Sequence, residues 1–299
     1  MEERTTIGLA ERRRRRGLHP AAWAQAVRDD VIRLVRGRFV VGNLAGARLK
    51  VRYQRSVLGF LWAVLTPMLM IAVLSIVFGY MLRREVDRFP VYLFSGLVPY
   101  QFFAGSLKSG GRSLVSGYRI MSRFRVQPFV LPLSEVLVNA FNLLLELLAL
   151  LGMLVLAGSW FPVVAPKLSA SIIVLPVGVI LLFIFTLGIV LMCMTLVTYY
   201  RDVEHVIAVV TRALYFMTGI IIPPTLMGEA DIFVYANPLW YHLQFFRGSL
   251  WQGTYRGAAA AVTWPDAQTW IIAVVSALAS FTLGYVVYKK YEHEYVYRL

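Results

Sequence analysis

Residues 56–82 read SVLGFLWAVLTPMLMIAVLSIVFGYML, a run of 27 residues without one charged side chain. As a helix this run reaches about 40 Å, more than the hydrocarbon core of a bilayer. Residues 89–107, 168–200 and 267–288 are equally free of charge, and 126–166 carries only Glu135, Glu146 and Lys-free, Arg-free apolar sequence around them up to Pro166. A weaker run, 203–224, starts beside Arg201 and Asp202. In lipid every backbone amide and carbonyl must be satisfied, which leaves helices or closed barrels, and these runs are too long and continuous for barrel strands. The expected fold is an all-α polytopic membrane protein with six transmembrane helices at about 56–82, 89–112, 129–157, 168–197, 203–224 and 267–289, within a transmembrane domain covering 56–290.

Composition agrees. The chain of 299 residues is 59% hydrophobic and 15% charged, a membrane composition with no room for a sizeable soluble domain beside six helices. Its net charge of +14 would suggest nucleic acid in a soluble protein, but the cations are sorted by side. With the N-terminus inside, the inner segments hold 24 Lys and Arg and the outer segments hold 6. That asymmetry is the positive-inside pattern; it puts both termini, including residues 291–299, in the cytoplasm and argues against a nucleic-acid partner. The single cysteine, Cys193, excludes an intrachain disulfide or a cysteine-based metal site. No cleavable signal is expected, because about fifty polar and basic residues precede the first span.

Outside the spans three segments stand out. Residues 1–20 contain the run Arg12–Arg16 among few large apolar residues and read as a disordered basic tail attracted to anionic lipid. Residues 21–55 place Trp23, Val27, Val31, Leu34 and Val35 at helical spacing, with Arg28, Arg33 and Arg36 off that side, followed by Leu44, Leu49 and Val51 among Arg48, Lys50, Arg52 and Arg55. This is an N-terminal amphipathic helix for the cytoplasmic membrane interface. Residues 117–128, GYRIMSRFRVQP, combine Arg119, Arg123 and Arg125 with Ile120, Met121 and Phe124, a short amphipathic cytoplasmic helix ended by Pro128. On the other side, 225–265 is rich in aromatics, among them Trp240 and Tyr241, with apolar patches too short to span. It is expected to form re-entrant or interfacial helices before the last span.

Nothing in the sequence looks catalytic. The nearest approach to a phosphate-binding loop, GSLKSGGRS at 105–113, lacks the lysine that must follow the second glycine. Asp202, Glu204 and His205 could ligate a cation, but a helix start capped by Asp202 explains them better. The third span carries Glu135, Asn139, Asn142 and Glu146 at spacings of 4, 3 and 4, which puts all four on one narrow stripe. The two carboxylates lie about 16 Å apart along the axis, too far for paired acid–base work. Acids at membrane depth must face protein or water, so the stripe should point into the bundle, to hydrogen-bond another helix or a twin subunit, or to line a watery path.

RYQRSVLGFLWAVLTP at 52–67 resembles the signature leading into the first span of bacterial polysaccharide-export permeases, the O-antigen and teichoic-acid exporter branch of the ATP-binding-cassette superfamily with an ABC-2 type transmembrane subunit. The resemblance continues through SGLVPYQFF at 95–103, PFVLPLSEVL at 128–137, YYRDVEHV at 199–206, IIPPTL at 221–226 and ANPL at 236–239. It covers about Arg48 to Gly253 in the same order; the arginine-rich N-terminus is not part of it. The resemblance implies a homodimer joined to two copies of a separate ATPase that binds ATP and Mg, with no cofactor and no metal in this chain. Together they would move an undecaprenyl-linked glycan of O-antigen, teichoic-acid or galactan type across the bacterial inner membrane. It further implies that 117–128 is the coupling helix on the ATPase, and that the first and fifth spans line the path at the dimer interface. Trp62, Tyr215, Phe216, Trp240 and Tyr241 would then suit a sugar channel, because flat apolar ring faces pack on sugar C–H faces. Arg48, Lys50, Arg52 and Arg55 would meet the lipid pyrophosphate as it arrives.

Three other classes compete. An ion-coupled secondary transporter or flippase predicts internal repeats and balanced intramembrane charges, and the chain has neither. A membrane glycosyltransferase needs a cluster of acids or a metal site at one face, which Asp202 and Glu204 alone do not supply. A drug-exporting permease of the same superfamily is separated only by the motifs.

Overall fold

The computed structural model describes residues 28, 32, 37–54, 59, 61–82, 86–124, 127–158, 170–254 and 264–298, with the side chains of 53, 63, 67, 71, 75, 79–82, 119–124, 150, 153–158, 296 and 297 excepted. The arginine run Arg12–Arg16, the helix expected from Trp23 up to residue 36 except for positions 28 and 32, and Arg55 and Arg125 lie outside these residues, as do the side chains of Arg119, Ile120, Met121, Arg123 and Phe124. The chain divides into two compact units, 1–44 and 45–299. Within the first, positions 28 and 32 are helical, and the backbone is continuously helical from Arg38.

Among the described residues the architecture is all-helical. The elements are α1 (Arg38–Tyr53), α2 (Leu61–Leu82), α3 (Phe89–Gly111), α4 (Ser113–Phe124), α5 (Val130–Gly158), α6 (Val174–Tyr199, preceded by a 3-10 turn at Ala170–Ile173) and α7 (Val203–Met217). They continue with α8 (Asp231–Tyr235), α9 (Pro238–Phe246), α10 (Ala267–Tyr291) and α11 (Tyr295–Arg298). Among the described residues three helices are long and apolar enough to cross a membrane by themselves: Val130–Ala149 in α5, Ala170–Tyr199 and Ala267–Tyr291. A shorter apolar helical stretch, Val64–Phe78, lies in α2.

Helix α3 is the centre of the second unit. It starts from Arg88, whose left-handed backbone (φ 47°) turns the chain into the helix, with Pro90 fixing the first turn. From Val91 to Tyr100 every residue is buried, because α3 packs on α2, α5, α6, α7 and α9 at once. Its serines and glycines allow this. A Cβ on Gly110 would lie 2.5 Å from Val190 Cγ1 on α6, so the valine of α6 occupies the space that a side chain at 110 would take.

The closest crossing joins α6 to α10. Cβ atoms built on Gly188 and Gly284 would lie 2.3 Å from Ser280 C and 2.0 Å from Gly188 O, respectively. Ser280 Oγ adds a 2.8 Å hydrogen bond to Phe185 O. At the far end of this pair α11 turns back onto α6, where Tyr295 and Thr195 hydroxyls meet at 2.7 Å and Arg298 stacks 4.8 Å over Tyr199.

The fifth expected span is shorter as a helix. Its 15 residues, Val203–Met217, reach only about 22 Å, because Gly219 takes a left-handed turn (φ 62°) and Pro223 and Pro224 follow. Asp202 sits at the helix start, but its side chain makes no capping hydrogen bond; backbone contacts from His205 N to Asp202 O serve instead. The outer aromatic segment folds as the short helices α8 and α9 and a π-turn at Arg247–Trp251. Asn237 caps α9 by accepting from Leu239 N at 3.0 Å.

Candidate functional site: a basic cavity beside a polar stripe

On α3 and its C-cap, Tyr100, Ala104, Lys108 and Arg112 follow at intervals of four, and on α7, Glu204, Ala208, Arg212 and Tyr215 follow at intervals of four and three. Each set forms one helix face. The faces are turned to each other across a cavity of about 690 Å³, closed on a third side by Met70 of α2. The small residues Ala104, Gly105 and Ala208 leave the space; the long cations and rings furnish it. Along α3 the separation of Tyr100 from Lys108 is about 12 Å, so the cavity has an aromatic end and a cationic end.

At the cationic end Arg112 Nε lies 3.1 Å from Glu204 Oε1. Lys108 and Arg212 have no ion-pair partner among the described residues. His205 also faces this space. At the aromatic end the rings of Tyr100 and Tyr215 meet edge-on, 5.4 Å apart. The Tyr100 hydroxyl donates to Thr211 O, tying α7 to α3. Tyr215 Oη, in contrast, is buried with no hydrogen-bond partner among the described residues.

The polar stripe of the third span lies beside this cavity, and Gln101 of α3 lines both it and the smaller cavity along the stripe. Glu135 forms an ion pair with Arg48 of α1. Burial pushes the Arg48 guanidinium below its ordinary pKa, and the Glu135 carboxylate opposes that shift. Asn139 Oδ1 accepts from Arg52 Nη1 at 3.2 Å, while its amide donates to Ser109 Oγ and Glu135 O, both at 3.0 Å. Asn142 and Glu146 continue inward and, with Arg52 and Gln101, line a small cavity of about 180 Å³. The stripe therefore points into the bundle, and its partners are cations of the basic helix.

The remaining residues singled out by sequence are dispersed. Lys50 is exposed on α1. Trp62 on α2 and Phe216 on α7 are exposed, the latter at 61%. Trp240 and Tyr241 are buried, packed with Val234, Met227 and Ile272, so these two rings face protein within one copy of the chain. The amphipathic segment at 117–128 is helical in α4 up to Phe124. Among the described residues no cluster of His, Cys, Asp and Glu could hold a metal ion.

Sequence reasoning missed Tyr100, Lys108, Arg112 and Arg212 as a group. Their spacing on two helices was a visible signal; that the two faces meet was not. It also treated Arg247 as an outer-loop cation. Arg247 is only 1% exposed, stacked 4.4 Å over Tyr92 and donating to Gly219 O at 2.5 Å. Tyr92 donates to the same carbonyl at 2.6 Å.

Comparison with known proteins places these features in a family. The chain is 30% identical over 217 residues to the O-antigen export system permease protein RfbA of Myxococcus xanthus, covering 70% of this chain and 80% of that protein. It is 27% identical over 209 residues to the protein of the same description from Klebsiella pneumoniae, covering 69% and 78%. The polysialic acid transport protein KpsM of Escherichia coli is 24% identical over 177 residues, covering 58% and 66%. The family model described as ABC-2 type transporter matches residues 41–251, a stretch that holds the basic helix, the polar stripe, the cavity and the buried Arg247, and the chain belongs to that family.

Proposed function

We propose that the chain is the permease subunit of an ATP-driven exporter that moves a lipid-linked polysaccharide across the bacterial inner membrane. The observation that carries this reading is the similarity, through 70% of the chain, to permeases named for O-antigen export. The cavity between α3 and α7 supports it chemically: cations suit a diphosphate and tyrosine rings suit sugar faces.

In this reading the chain has six spans and both termini in the cytoplasm. The short α7 forms the fifth span together with the turn after it, and α8 and α9 form a re-entrant outer segment. Two copies pair through α2 and α7, whose Leu69, Val73, Ile76, Val206, Val209 and Phe216 are each more than half exposed, and lipid or a second copy covers them. Trp62, Tyr215 and Phe216 line the path, with Trp240 and Tyr241 supporting its outer end. Two copies of an ATPase bind ATP and Mg and push through α4, with Met121 and Phe124 filling a cleft and Arg119, Arg123 and Arg125 meeting acidic rims. The chain itself needs no cofactor. Arg48, Lys50, Arg52 and Arg55 draw the anionic lipid carrier to the cytoplasmic surface.

The test is a deletion strain complemented with tagged chain. Surface polysaccharide should vanish on deletion, return with the wild-type chain, and the tagged chain should co-purify with a soluble ATPase in equal amounts. Unchanged surface polysaccharide in the deletion strain would refute the function.

A further inference from the structure

We infer that the cavity between α3 and α7 seats the diphosphate of the lipid-linked glycan, with Lys108, Arg112 and Arg212 as its ligands and the Tyr100–Tyr215 pair under the first sugar. The inference rests on the exporter reading and gives it an internal binding site, distinct from the basic helix that meets the membrane surface.

Three observations converge. The first is charge. Lys108, Arg112 and Arg212 face the cavity against the single carboxylate of Glu204, so the lining holds an excess of positive charge. Lys108 and Arg212 are without a carboxylate among the described residues. Both residues are exposed, so water solvates them and an anion can take that water's place. A diphosphate diester, with one ionised oxygen on each phosphate, supplies two adjacent acceptors for several charge-assisted hydrogen bonds. A single phospholipid phosphate supplies half of that charge.

The second is competition at Arg112. Its 3.1 Å contact with Glu204 is made by a side chain that is 60% exposed, so it is readily given up. Glu204 thus holds Arg112 in the empty cavity, and an arriving diphosphate takes it over. Arg48 differs: its pair with Glu135 is mostly buried, with the side chains 17% and 15% exposed. Drawing Arg48 away would strand a carboxylate, which is why the basic helix is a poor internal seat.

The third is the aromatic pair at the other end. The rings of Tyr100 and Tyr215 line the cavity and meet edge-on, 5.4 Å apart. A sugar one residue from the diphosphate can lay its C–H face on them. The separation of about 12 Å along α3 between Tyr100 and Lys108 matches a diphosphate and one hexose laid end to end.

The test uses the intact complex of permease and ATPase in phosphatidylcholine nanodiscs, with radiolabelled geranylgeranyl diphosphate as the probe. Wild type should bind it saturably, with farnesyl diphosphate competing, farnesol not competing, and phosphatidylglycerol competing weakly. Lys108→Gln and Arg212→Gln should each weaken binding by about ten-fold, the loss of one hydrogen bond to a charged group. Lys290→Gln, which removes an exposed cation stacked on Tyr291 away from the cavity, should bind as wild type. Lys108→Gln/Arg212→Gln complex that binds the probe as tightly as wild type, while eluting as an intact complex, would overturn the assignment. Equal competition by phosphatidylglycerol would overturn it too, marking a general phospholipid site. The complementation experiment above reads the exporter function separately: restored export by wild-type chain together with unaltered probe binding by the double variant would sink this site alone.

Discussion

Substituting Gly284 by alanine tests the packing on which the second unit is built. A Cβ there would sit 2.0 Å from Gly188 O, and 2.8 and 2.9 Å from Gly188 C and Cα. The obstacle is backbone, which no rotamer change can move aside. To bring the oxygen contact out to 3.0 Å, the shortest that real Cβ atoms show, α10 must retreat from α6 by at least 1 Å. A gap of that size forfeits about a third of each dispersion contact along the seam; with about forty heavy-atom pairs at ~0.15 kcal/mol, the loss is ~2 kcal/mol, within the usual range for overpacking. The Ser280–Phe185 hydrogen bond, set beside the crossing, stretches in the same movement. The assay is the temperature at which half of the protein, heated in mild detergent, still elutes as a monodisperse peak. Gly284→Ala should lose several degrees, whereas Gly152→Ala, where nothing lies within 4 Å, should gain slightly through helix propensity. A Gly284→Ala protein that survives heating as well as wild type would refute the close crossing of α6 and α10.

Two further outcomes follow from the buried cations. Glu135→Leu should destabilise by about 3 kcal/mol, because it strands the buried Arg48 guanidinium, while Arg48→Met/Glu135→Leu should recover most of that loss; a double variant as unstable as the sum of its parts in the same heating assay would deny the pair. Arg247→Ala removes a fully buried side chain, its ring stack and its bond to Gly219, at a cost of about 3 kcal/mol or more. Hydrogen exchange at the amides of 218–222 should rise by at least ten-fold in that variant, and unchanged protection there would show that Arg247 does not hold the turn.

Much of the helical framework was legible because lipid leaves so few solutions. A run such as 168–200 with no charge has one way to satisfy its backbone, and α6 is where hydropathy puts it. The polar stripe was legible in direction for the same reason: acids at membrane depth must point inward. Its partners were not. Arg48 and Arg52 lie 83 to 87 residues away from the atoms they bond, and no local periodicity encodes which helix docks on which. The central place of α3 was hidden for a related reason, since a span buried by protein and one bathed in lipid use the same apolar residues. The glycines and serines of α3 were the trace it left. Sequence also read 203–224 as one span, whereas the helix stops at Met217; a single left-handed Gly219 ends it, and hydropathy does not register a φ angle.

The basic residues of this chain show why position along the sequence misjudges charges in a membrane protein. Counting Arg212 as inside and Arg247 as outside helps to orient the chain, yet neither lies in a loop. Each cation taken from water carries a penalty of several kcal/mol that something must offset. Arg48 is offset by a carboxylate. Arg247 is offset by a ring face and a carbonyl that Tyr92 also engages, an arrangement that fixes one conformation and leaves no room for a ligand. Lys108 and Arg212 carry no such penalty: both are exposed at the cavity, without a carboxylate among the described residues, and water solvates them until an anion replaces it. The first two cations are held by groups of the fold and so belong to its stability, whereas the exposed pair is placed to take an anion from outside the chain.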